Sequence, residues 1–283
     1  MCGADRAAER GFCGAGDKLT AAKACLHFYE EPVISGEHGS GAVFFSGCPL
    51  KCVFCQNESV SHGGFGAEIT PERLSDIFLS LEQKGAHNIN LVTPSHFTYD
   101  ILKALDIAKK TLRIPVVFNS SGYERVETLK LWEGYADIYL PDIKYVSKAL
   151  SKKYSGAENY FKFALPAVLE MKRQVGDLKY GADKMLKKGL LIRHLVLPGC
   201  YKDSIAVLDK IKENIKGEYL VSVMNQYTPT KRVFGTELDR RVSTFEYKQV
   251  LNHAAELSLN GFSQGRESAD SGYTPNFDLE GIL

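Results

Sequence analysis

The stretch GAVFFSGCPLKCVFC at residues 41–55 decides the fold. Its first seven residues form an apolar run that ends in a glycine, which predicts a buried strand followed by a tight turn. The turn carries Cys48, Cys52 and Cys55 in a C-x3-C-x2-C array. Three thiolates on one short loop can hold three corners of a four-iron cluster, whereas a fully ligated cubane requires four cysteines. One iron is then open to a substrate or cofactor, and an open metal position is typical of a catalytic site.

This array, with Phe54 before its last cysteine, resembles the signature of the radical S-adenosylmethionine (SAM) superfamily. Other stretches are similar to one branch of it, the poorly characterised proteins related to pyruvate formate-lyase activating enzyme. They are LHFYEEP at 26–32, GAHNINLVTP at 85–94, DIYLPDIKY at 137–145, RHLVLPG at 193–199 and MNQYTP at 224–229. The resemblance therefore covers nearly the whole chain.

Length and composition predict one soluble enzyme domain. The 283 residues can bury one large core, and 44% apolar with 24% charged residues is an ordinary balance. The net charge of +1 gives no basic excess, so we expect no nucleic-acid partner. No signal peptide and no run of about 18 apolar residues is found, so we expect a cytoplasmic protein without a membrane partner. Seven cysteines then indicate metal binding or catalysis rather than disulfides, and such a cluster implies anaerobic function.

Short apolar runs alternate with amphipathic stretches along the chain. Strands are predicted at 42–46, 89–93, 116–119, 137–140, 191–196 and 219–223, and helices at 71–84, 99–110, 124–133, 159–175, 203–215 and 242–257. The continuous apolar character of the strands is typical of a parallel sheet that is buried on both faces. Because eight βα units would close a full barrel, six units predict an open, partial (β/α)6 barrel of the TIM type. The resemblance implies the same fold.

This pattern also predicts the domain organisation. Residues 1–40 form an N-terminal lead segment without a barrel unit of its own, and residues 41–235 form the barrel. Residues 236–283 form a C-terminal helical extension that packs on the barrel. Polar residues or cysteines follow all six predicted strands, where the active groups of parallel barrels collect, and this convergence predicts one site at that edge.

The resemblance implies roles for these strand-end residues. The three cysteines of the array would ligate the cluster, Phe54 would pack near the adenine of SAM, and Thr93 would help to hold the amino group of SAM. Related activating enzymes carry Gly-Gly-Glu where this chain has VTPSH at 92–96, so the glycines and the acid are absent. For His96, a site role and a solvated loop histidine stay open as alternatives.

The ribose and carboxylate of SAM require hydroxyl, amide or cationic partners, and the candidates are Asn119, Ser120, Asp142 and Lys144. Asp142 and Lys144 resemble an Asp-x-Lys pattern that contacts SAM in activating enzymes, and the alternative is a simple surface ion pair. Asn119 occupies the position of an acid that helps to hold a monovalent cation in those enzymes, which weakens the case for such a cation here.

Two further candidates come from the fifth and sixth predicted strands. Arg193 and His194 lie on opposite faces of one strand, so only one of them can point into the barrel lumen. A buried arginine requires an anion, and we interpret Arg193 as the partner of the SAM carboxylate, with a structural pair to a barrel acid as the alternative. Gln226, after the sixth strand, is a candidate for contact with the adenine or the substrate.

The cysteines allow other interpretations. The array could be a zinc clip with His62 as fourth ligand, but zinc loops usually come as paired C-x2-C halves. Related proteins often carry an earlier C-x2-C that this sequence lacks, so Cys2 and Cys13 are not expected to complete an auxiliary metal site. Cys25 is expected to be buried, and Cys200 is a candidate thiol beside the substrate.

The resemblance implies a radical SAM oxidoreductase that cleaves SAM reductively at a [4Fe–4S] cluster. The resulting 5′-deoxyadenosyl radical would abstract a hydrogen atom from the substrate. The electron donor would be a protein such as flavodoxin or ferredoxin. The first hypothesis is activation of a glycyl-radical enzyme, which would then be the protein substrate, and the second is modification of a peptide or small molecule. The third hypothesis is a non-catalytic iron–sulfur or zinc-binding protein.

Overall fold

The chain forms one mainly parallel sheet, to which the described residues contribute ten strands. The structure is a computed structural model that describes residues 4–265, 268 and 275–283. The strands are β1 Thr20–His27, β2 Ser40–Phe45, β3 Ala67–Glu68, β4 Ile89–Val92, β5 Val116–Ser120, β6 Ile138–Pro141, β7 Lys179–Tyr180, β8 Leu186–Leu195, β9 Leu220–Met224 and β10 Gly261–Ser263.

The longer helices connect successive strands and cover the outer face of the sheet. The helices are α1 Pro32–Ser35, α2 Glu58–Ser61, α3 Pro71–Gln83, α4 Thr98–Ala108, α5 Val126–Lys130, α6 Lys148–Ser155, α7 Tyr160–Val175, α8 Tyr201–Asn214 and α9 Thr244–Glu256. Within the described ranges, none of them is both long enough and apolar enough to cross a membrane.

The strand order confirms a partial barrel. The six predicted strands appear as β2, β4, β5, β6, β8 and β9, and they pair in parallel in the order of the chain. β10 adds a further parallel strand beside β9, and β1 and β3 add antiparallel strands at the other edge. The sheet runs from β10 to β3 without joining these two ends, so the barrel is open on one side.

The strand β1 lies in the predicted lead segment and pairs with β2 as a hairpin. Its sequence, TAAKACLH, is rich in alanine and contains a lysine, so it lacks the β-branched and aromatic residues that mark a strand. Four consecutive residues of β1 are nevertheless buried: three are alanines, and the fourth, Lys23, pairs with Asp278 and Glu280.

The helix α3 illustrates how local sequence determines an element. Thr70 is the N-cap, since its side chain accepts a hydrogen bond from the backbone N–H of Arg73 at 3.2 Å, and Pro71 takes the first helical position. Its apolar stripe, which faces the sheet, comprises Leu74, Ile77, Phe78 and Leu81.

The barrel lumen is built in layers, because alternate residues of a strand share one face. Leu191 of β8 pairs with Leu220 of β9, and both belong to an apolar cluster at the floor of the lumen. Two residues further on, Arg193 pairs with Ser222, so a charged layer lies above the apolar one. The other buried members of the floor cluster are Ile34, Val117, Ile138, Leu140 and Leu186.

The short helix α1 closes this floor. It follows the hairpin strand β1, and Pro32 occupies its first turn. Ile34 is fully buried and packs with the lumen-facing residues of the barrel strands. The carbonyl of Ile34 also accepts a hydrogen bond of 2.7 Å from the buried amide of Asn88. This one-turn helix therefore holds the preceding residues, 30 and 31, at the level of the charged layer.

We predict that Ile34→Ala lowers the free energy of unfolding by about 2–5 kcal/mol, because it leaves a cavity in the floor cluster. Urea denaturation followed by circular dichroism measures this change. The control is Ile107→Ala on the surface of α4, where the side chain is 45% exposed and the expected change is within about 0.5 kcal/mol. Equal changes in both variants would show that α1 does not close the core.

Candidate active site

The carboxyl ends of the parallel strands surround a cavity of about 500 Å³. Its walls come from loops that are distant in sequence and that meet at this edge of the sheet. Eleven of the site residues that the sequence suggested line this one cavity: Cys48, Cys52, Phe54, Cys55, Thr93, Asn119, Ser120, Asp142, Lys144, Arg193 and Gln226.

The cysteine loop is held in place by backbone hydrogen bonds to other segments. The N–H of Cys48 donates to the carbonyl of Cys13 at 3.0 Å, and the N–H of Val53 donates to the carbonyl of Tyr154 at 2.9 Å. Leu50, at the centre of the loop, is 1% exposed and anchors it in the core. The loop therefore has a defined conformation set by the protein.

Two of the three thiols contact serine hydroxyls. The Sγ of Cys52 lies 3.0 Å from the Oγ of Ser155, and the Sγ of Cys55 lies 3.2 Å from the Oγ of Ser61. Burial raises the pKa of Cys52 to about 11, and burial and the neighbouring thiols raise the pKa of Cys48. Such thiols become thiolates only beside a strong positive charge, which a metal centre supplies.

The three thiols of the loop are donors of the kind that a four-iron cluster takes. No three His, Cys, Asp or Glu side chains in the described part of the chain converge on one metal-ion position, as a zinc clip requires. A four-iron cubane is instead held from separate corners, so its cysteines need not converge on a point. His62 lines a separate cavity behind the loop, and its Nδ1 contacts Arg232 at 3.0 Å.

Two aromatic rings form one wall of the cavity. The ring of Phe54 packs edge-on against the ring of Tyr227, with their centroids 6.1 Å apart. The hydroxyl of Tyr227 donates to the carbonyl of Leu238 at 2.7 Å, which fixes this ring in the core. Beside them, the amide oxygen of Gln226 accepts a hydrogen bond of 2.9 Å from Gln264. An apolar platform with an amide next to it can accommodate a purine base.

The loop after β4 keeps a backbone conformation that favours glycine. Thr93 has a φ of +53°, which is uncommon for a β-branched residue and costs about 1–3 kcal/mol. Its N–H donates to the carbonyl of Asn119 at 2.8 Å, so the neighbouring strand imposes this conformation. Although the glycines of related enzymes are absent here, the turn that they favour is present.

A glycine also brings the next two loops together. Gly122 has a φ of +72°, and a Cβ atom at this position would lie 2.1 Å from the carbonyl oxygen of Asp142. Only glycine therefore permits the loops after β5 and β6 to approach this closely. The hydroxyl of Tyr160 lies 2.8 Å from the carbonyl of Ser121 and accepts the N–H of Lys144 at 3.0 Å, which fixes both loops.

Asp142 and Lys144 form an ion pair inside the cavity. The Nζ of Lys144 lies 2.5 Å from the Oδ2 of Asp142, and the two side chains are 15% and 22% exposed. Burial would lower the pKa of Lys144, but the negative charge of Asp142 outweighs it and raises that pKa. The pair is therefore shielded from solvent, in contrast to the surface pair of the alternative interpretation.

Arg193 points into the lumen, and its anions are carboxylates of the protein. The guanidinium bonds Glu31 through Nε at 2.9 Å and through Nη2 at 2.6 Å, and Nη2 also contacts Glu30. This is the structural pair that the sequence left as an alternative. His194 lies on the other face, where its Nδ1 donates to the carbonyl of Ile143 at 2.7 Å.

Glu30, Glu31 and Glu124 were not singled out from the sequence. The sequence did contain a signal for Glu30 and Glu31, because an arginine in an apolar strand requires a buried acid somewhere in the chain. Glu124 gave no such signal, since its position at the start of a predicted helix is typical of a solvated acid. In the structure it is 3% exposed and accepts a hydrogen bond of 3.1 Å from Ser95.

The remaining candidates lie outside the cavity. The Nε2 of His96 donates to the carbonyl of Ser46 at 2.7 Å, so this half-buried histidine supports the turn before the cysteine loop. Cys200 is buried but does not line the cavity, and Cys25 is partly buried. Cys2 lies outside the described residues.

We predict that Glu124 makes stability fall as pH rises. Burial raises its pKa from the usual 4.5 to about 7, although Ser95 and Ser120 oppose this shift. The folded state therefore holds a proton that the unfolded state releases between pH 4.5 and 7, which removes on the order of 3 kcal/mol of stability. Glu124→Gln should abolish this loss. In urea titrations, the free energy of unfolding of the variant, relative to that of wild type, should therefore increase from pH 5 to pH 8.

The control for this prediction is Glu127→Gln, in the first turn of α5 and exposed. It should leave the pH dependence of unfolding nearly unchanged. A Glu124→Gln variant whose stability parallels wild type at every pH would contradict a raised pKa for this carboxyl.

Comparison with known proteins identifies the family. A model of the radical SAM superfamily matches residues 42–182. An uncharacterised protein of Methanocaldococcus jannaschii is 31% identical over 272 residues, which cover 92% of this chain and 73% of that protein.

Solved structures share the fold at low sequence identity. SuiB of Streptococcus suis bound to SAM has a TM-score of 0.55 and 14% identity, over 77% of this chain and 48% of SuiB. A radical SAM methyltransferase from Sphaerobacter thermophilus has a TM-score of 0.55 and 14% identity, over 83% of this chain and 70% of that enzyme. The chain thus spans about half the length of SuiB.

The family accounts for the donor set of the cavity. Radical SAM enzymes use a [4Fe–4S] cluster and SAM as cofactors. The matched residues 42–182 include the cysteine loop and the loops after β4, β5 and β6, which form most of the cavity. The chain belongs to the radical SAM superfamily.

Proposed function

We propose that this radical SAM enzyme cleaves SAM reductively and abstracts a hydrogen atom from a small molecule or peptide side chain that enters the barrel lumen. One observation carries the proposal. A single cavity joins the three cysteines, the strand-end polar residues and the charged layer around Arg193. When bound, the cluster and SAM supply a 5′-deoxyadenosyl radical. A low-potential carrier such as flavodoxin or ferredoxin is the proposed electron donor.

The residues of the chain bind and orient the cofactors. Cys48, Cys52 and Cys55 hold the cluster, and the backbone around Thr93 receives the amino group of SAM. Asn119, Ser120, Asp142 and Lys144 offer hydroxyl, amide and charged groups for its ribose and carboxylate. Phe54 and Gln226 form the surface for the adenine.

Orientation is the main contribution of the protein, because a primary radical attacks the nearest C–H bond. The anchored cysteine loop and the Gly122 contact hold the cavity walls in one geometry. The apolar floor beneath the charged layer keeps water out of the lumen from below. These features position the reacting groups and limit side reactions.

The charged layer around Arg193 favours a substrate with a side chain or polar group of its own. A glycine residue of a partner enzyme offers no side chain to pair with buried Glu30, Glu31 and Arg193. Activation of a glycyl-radical enzyme is therefore the second candidate, and the open side of the sheet, which could admit a partner loop, is the observation in its favour. SuiB, which shares the fold, has been crystallised with a precursor peptide.

We predict that wild-type protein, reconstituted anaerobically with iron and sulfide, produces 5′-deoxyadenosine from SAM and dithionite. Cys55→Ala should lose the four-iron absorption and this activity, because it removes one of three cluster ligands. Iron analysis, visible absorption and chromatography of the products measure the two effects.

The matched control is Cys200→Ala, which removes a buried thiol outside the cavity and should keep both cluster and activity. A Cys55→Ala protein that still binds four irons and cleaves SAM would refute the ligand assignment. An intact, reducible wild-type cluster whose EPR spectrum does not respond to SAM would support the third hypothesis, a non-catalytic iron–sulfur protein.

We also predict that Thr93→Gly and Thr93→Val both keep SAM affinity within about threefold of wild type, a change of under 1 kcal/mol. The reason is that the left-handed turn presents backbone groups to SAM, and this turn is imposed by the bond to Asn119. Anaerobic titration calorimetry with the oxidised cluster measures the affinity. A loss of tenfold or more in both variants would show that the Thr93 hydroxyl itself binds SAM.

A further inference from the structure

The segment LHFYEEP at residues 26–32 has no role in the binding of either cofactor as proposed above. It leaves the end of β1 and crosses to the lumen, where its residues from His27 to Pro32 line the cavity. The side chains of Glu30 and Glu31 are 8% and 7% exposed. Two buried acids in one cavity wall require an explanation, because a buried charge is retained only when it is paired.

Arg193 pairs with both acids but neutralises only one of their charges. Glu31 takes the Nε and Nη2 atoms of the guanidinium, and Glu30 shares the Nη2. The other charged groups of the cavity wall, Asp142 and Lys144, cancel each other. Among the described residues that line the cavity, three carboxylates and two cations therefore leave one negative charge.

The cofactors do not compensate this charge. An oxidised four-iron core carries two positive charges against three thiolates, which leaves one negative charge. SAM carries one net positive charge from its sulfonium, so cluster and SAM together are neutral. Within the described part of the chain, the negative charge beside Arg193 thus lacks a counter-charge and can pair with another ligand.

A second observation indicates that this ligand donates hydrogen bonds. Asn90 is fully buried on β4, and its Nδ2 donates to the Oε1 of Glu30 at 2.7 Å. An ionised carboxylate only accepts, so this contact fixes the orientation of the amide. The Oδ1 of Asn90 has no donor within the described part of the structure. The site around Glu30 therefore has an excess of acceptors as well as of negative charge.

Aromatic rings flank the acids on the side of the opening. Phe28 and Tyr29 line the cavity and are 50% and 54% exposed. The ring of His27 packs edge-on against that of Tyr29 at 5.6 Å and against that of Phe44 at 6.3 Å. Aromatic faces beside a carboxylate are typical of sites for alkylammonium and guanidinium groups, which gain from cation–π contact.

We infer that Glu30 and the surrounding acceptors form a subsite for a cationic group of the substrate, an alkylammonium or guanidinium. This inference deepens the proposed function and rests on it, since it names the substrate class of the same lumen. The chemistry is shared by lysine or arginine side chains of a peptide and by free amines. In either case, a cation bound beside Glu30 would place the attached carbon chain beside the SAM site.

The test measures binding without turnover. The reconstituted protein, saturated with SAM and kept oxidised, is titrated with pentylamine, pentanol and pentanoate in an anaerobic calorimeter. These probes share one carbon chain and differ in charge. Pentylamine should bind at least about tenfold more tightly than the other two, because only its ammonium group can form a charge-assisted hydrogen bond with the carboxylate.

Glu30→Gln should weaken pentylamine binding by about tenfold or more while SAM affinity stays unchanged. Arg193 keeps Glu31 as its partner in this variant, and thermal unfolding verifies that the protein is folded. If Glu30→Gln does not fold, Glu30→Asp is measured instead. This variant retains the charge and should keep the preference for pentylamine. The control is Glu213→Gln on the surface of α8, where the side chain is 56% exposed, and its binding should equal that of wild type.

The following results would overturn the inference. One is tighter binding of pentanoate than of pentylamine, and another is unchanged pentylamine binding in Glu30→Gln. A third is a loss of SAM affinity in Glu30→Gln that equals the loss of amine affinity, because this result would assign the acids to the sulfonium of SAM. Binding of potassium ion in place of pentylamine would overturn it as well. Failure of SAM cleavage with normal amine binding would instead count against the proposed function alone.

Two further probes distinguish the sources of the cation. Pentane-1,5-diamine represents a free amine, and acetyl-Gly-Lys-Gly-amide represents a peptide side chain. Each competes with pentylamine in the same titration, and the tighter competitor identifies the source. Either result supports the subsite, whereas failure of both to displace pentylamine would place the amine elsewhere and refute it.

Discussion

Parallel pairing of β2, β4, β5, β6, β8 and β9 in the order of the chain is the constraint on which the rest of the structure depends. Parallel strands joined by helical crossovers all end at the same edge of the sheet. Loops that are far apart in sequence therefore meet there, and the cysteine loop joins the others around one cavity. Each close approach in the site, such as that of Gly122 to Asp142, is a consequence of this pairing.

The ion pairs of Arg193 connect this architecture to its chemistry. A buried guanidinium without an anion would destabilise the fold, and removal of one partner of a buried pair typically costs about 3–5 kcal/mol. Glu30 and Glu31 supply the anions from the opposite side of the lumen, and Ile34, just after them, closes the floor. The same contacts thus close the barrel and shape the innermost part of the cavity. Arg193 balances only one of the two carboxylates, so we assign the other, that of Glu30, to a ligand.

Much of the fold could be predicted because its signals are local. The apolar run before Cys48 and the Thr70-Pro71 start of α3 depend only on neighbouring residues. β1 could not be predicted because alanine carries little strand preference, and its burial arises from the packing of the hairpin. α6 was missed for a related reason, since KALSKKYS contains few apolar residues. Its last residue, Ser155, contacts Cys52, and this support of the cysteine loop has no trace in the local sequence.

The sequence by itself determined the cysteine array, the parallel βα pattern and eleven of the residues that line the cavity, because each depends on residue type and spacing along the chain. Only the tertiary structure decided which anion Arg193 takes, that Glu124 is buried, and that Thr93 adopts the turn that glycine favours. These properties arise from contacts between segments separated by tens to more than a hundred residues. The energy of a buried charge or a strained turn depends on its surroundings, and those surroundings exist only after the strands have paired.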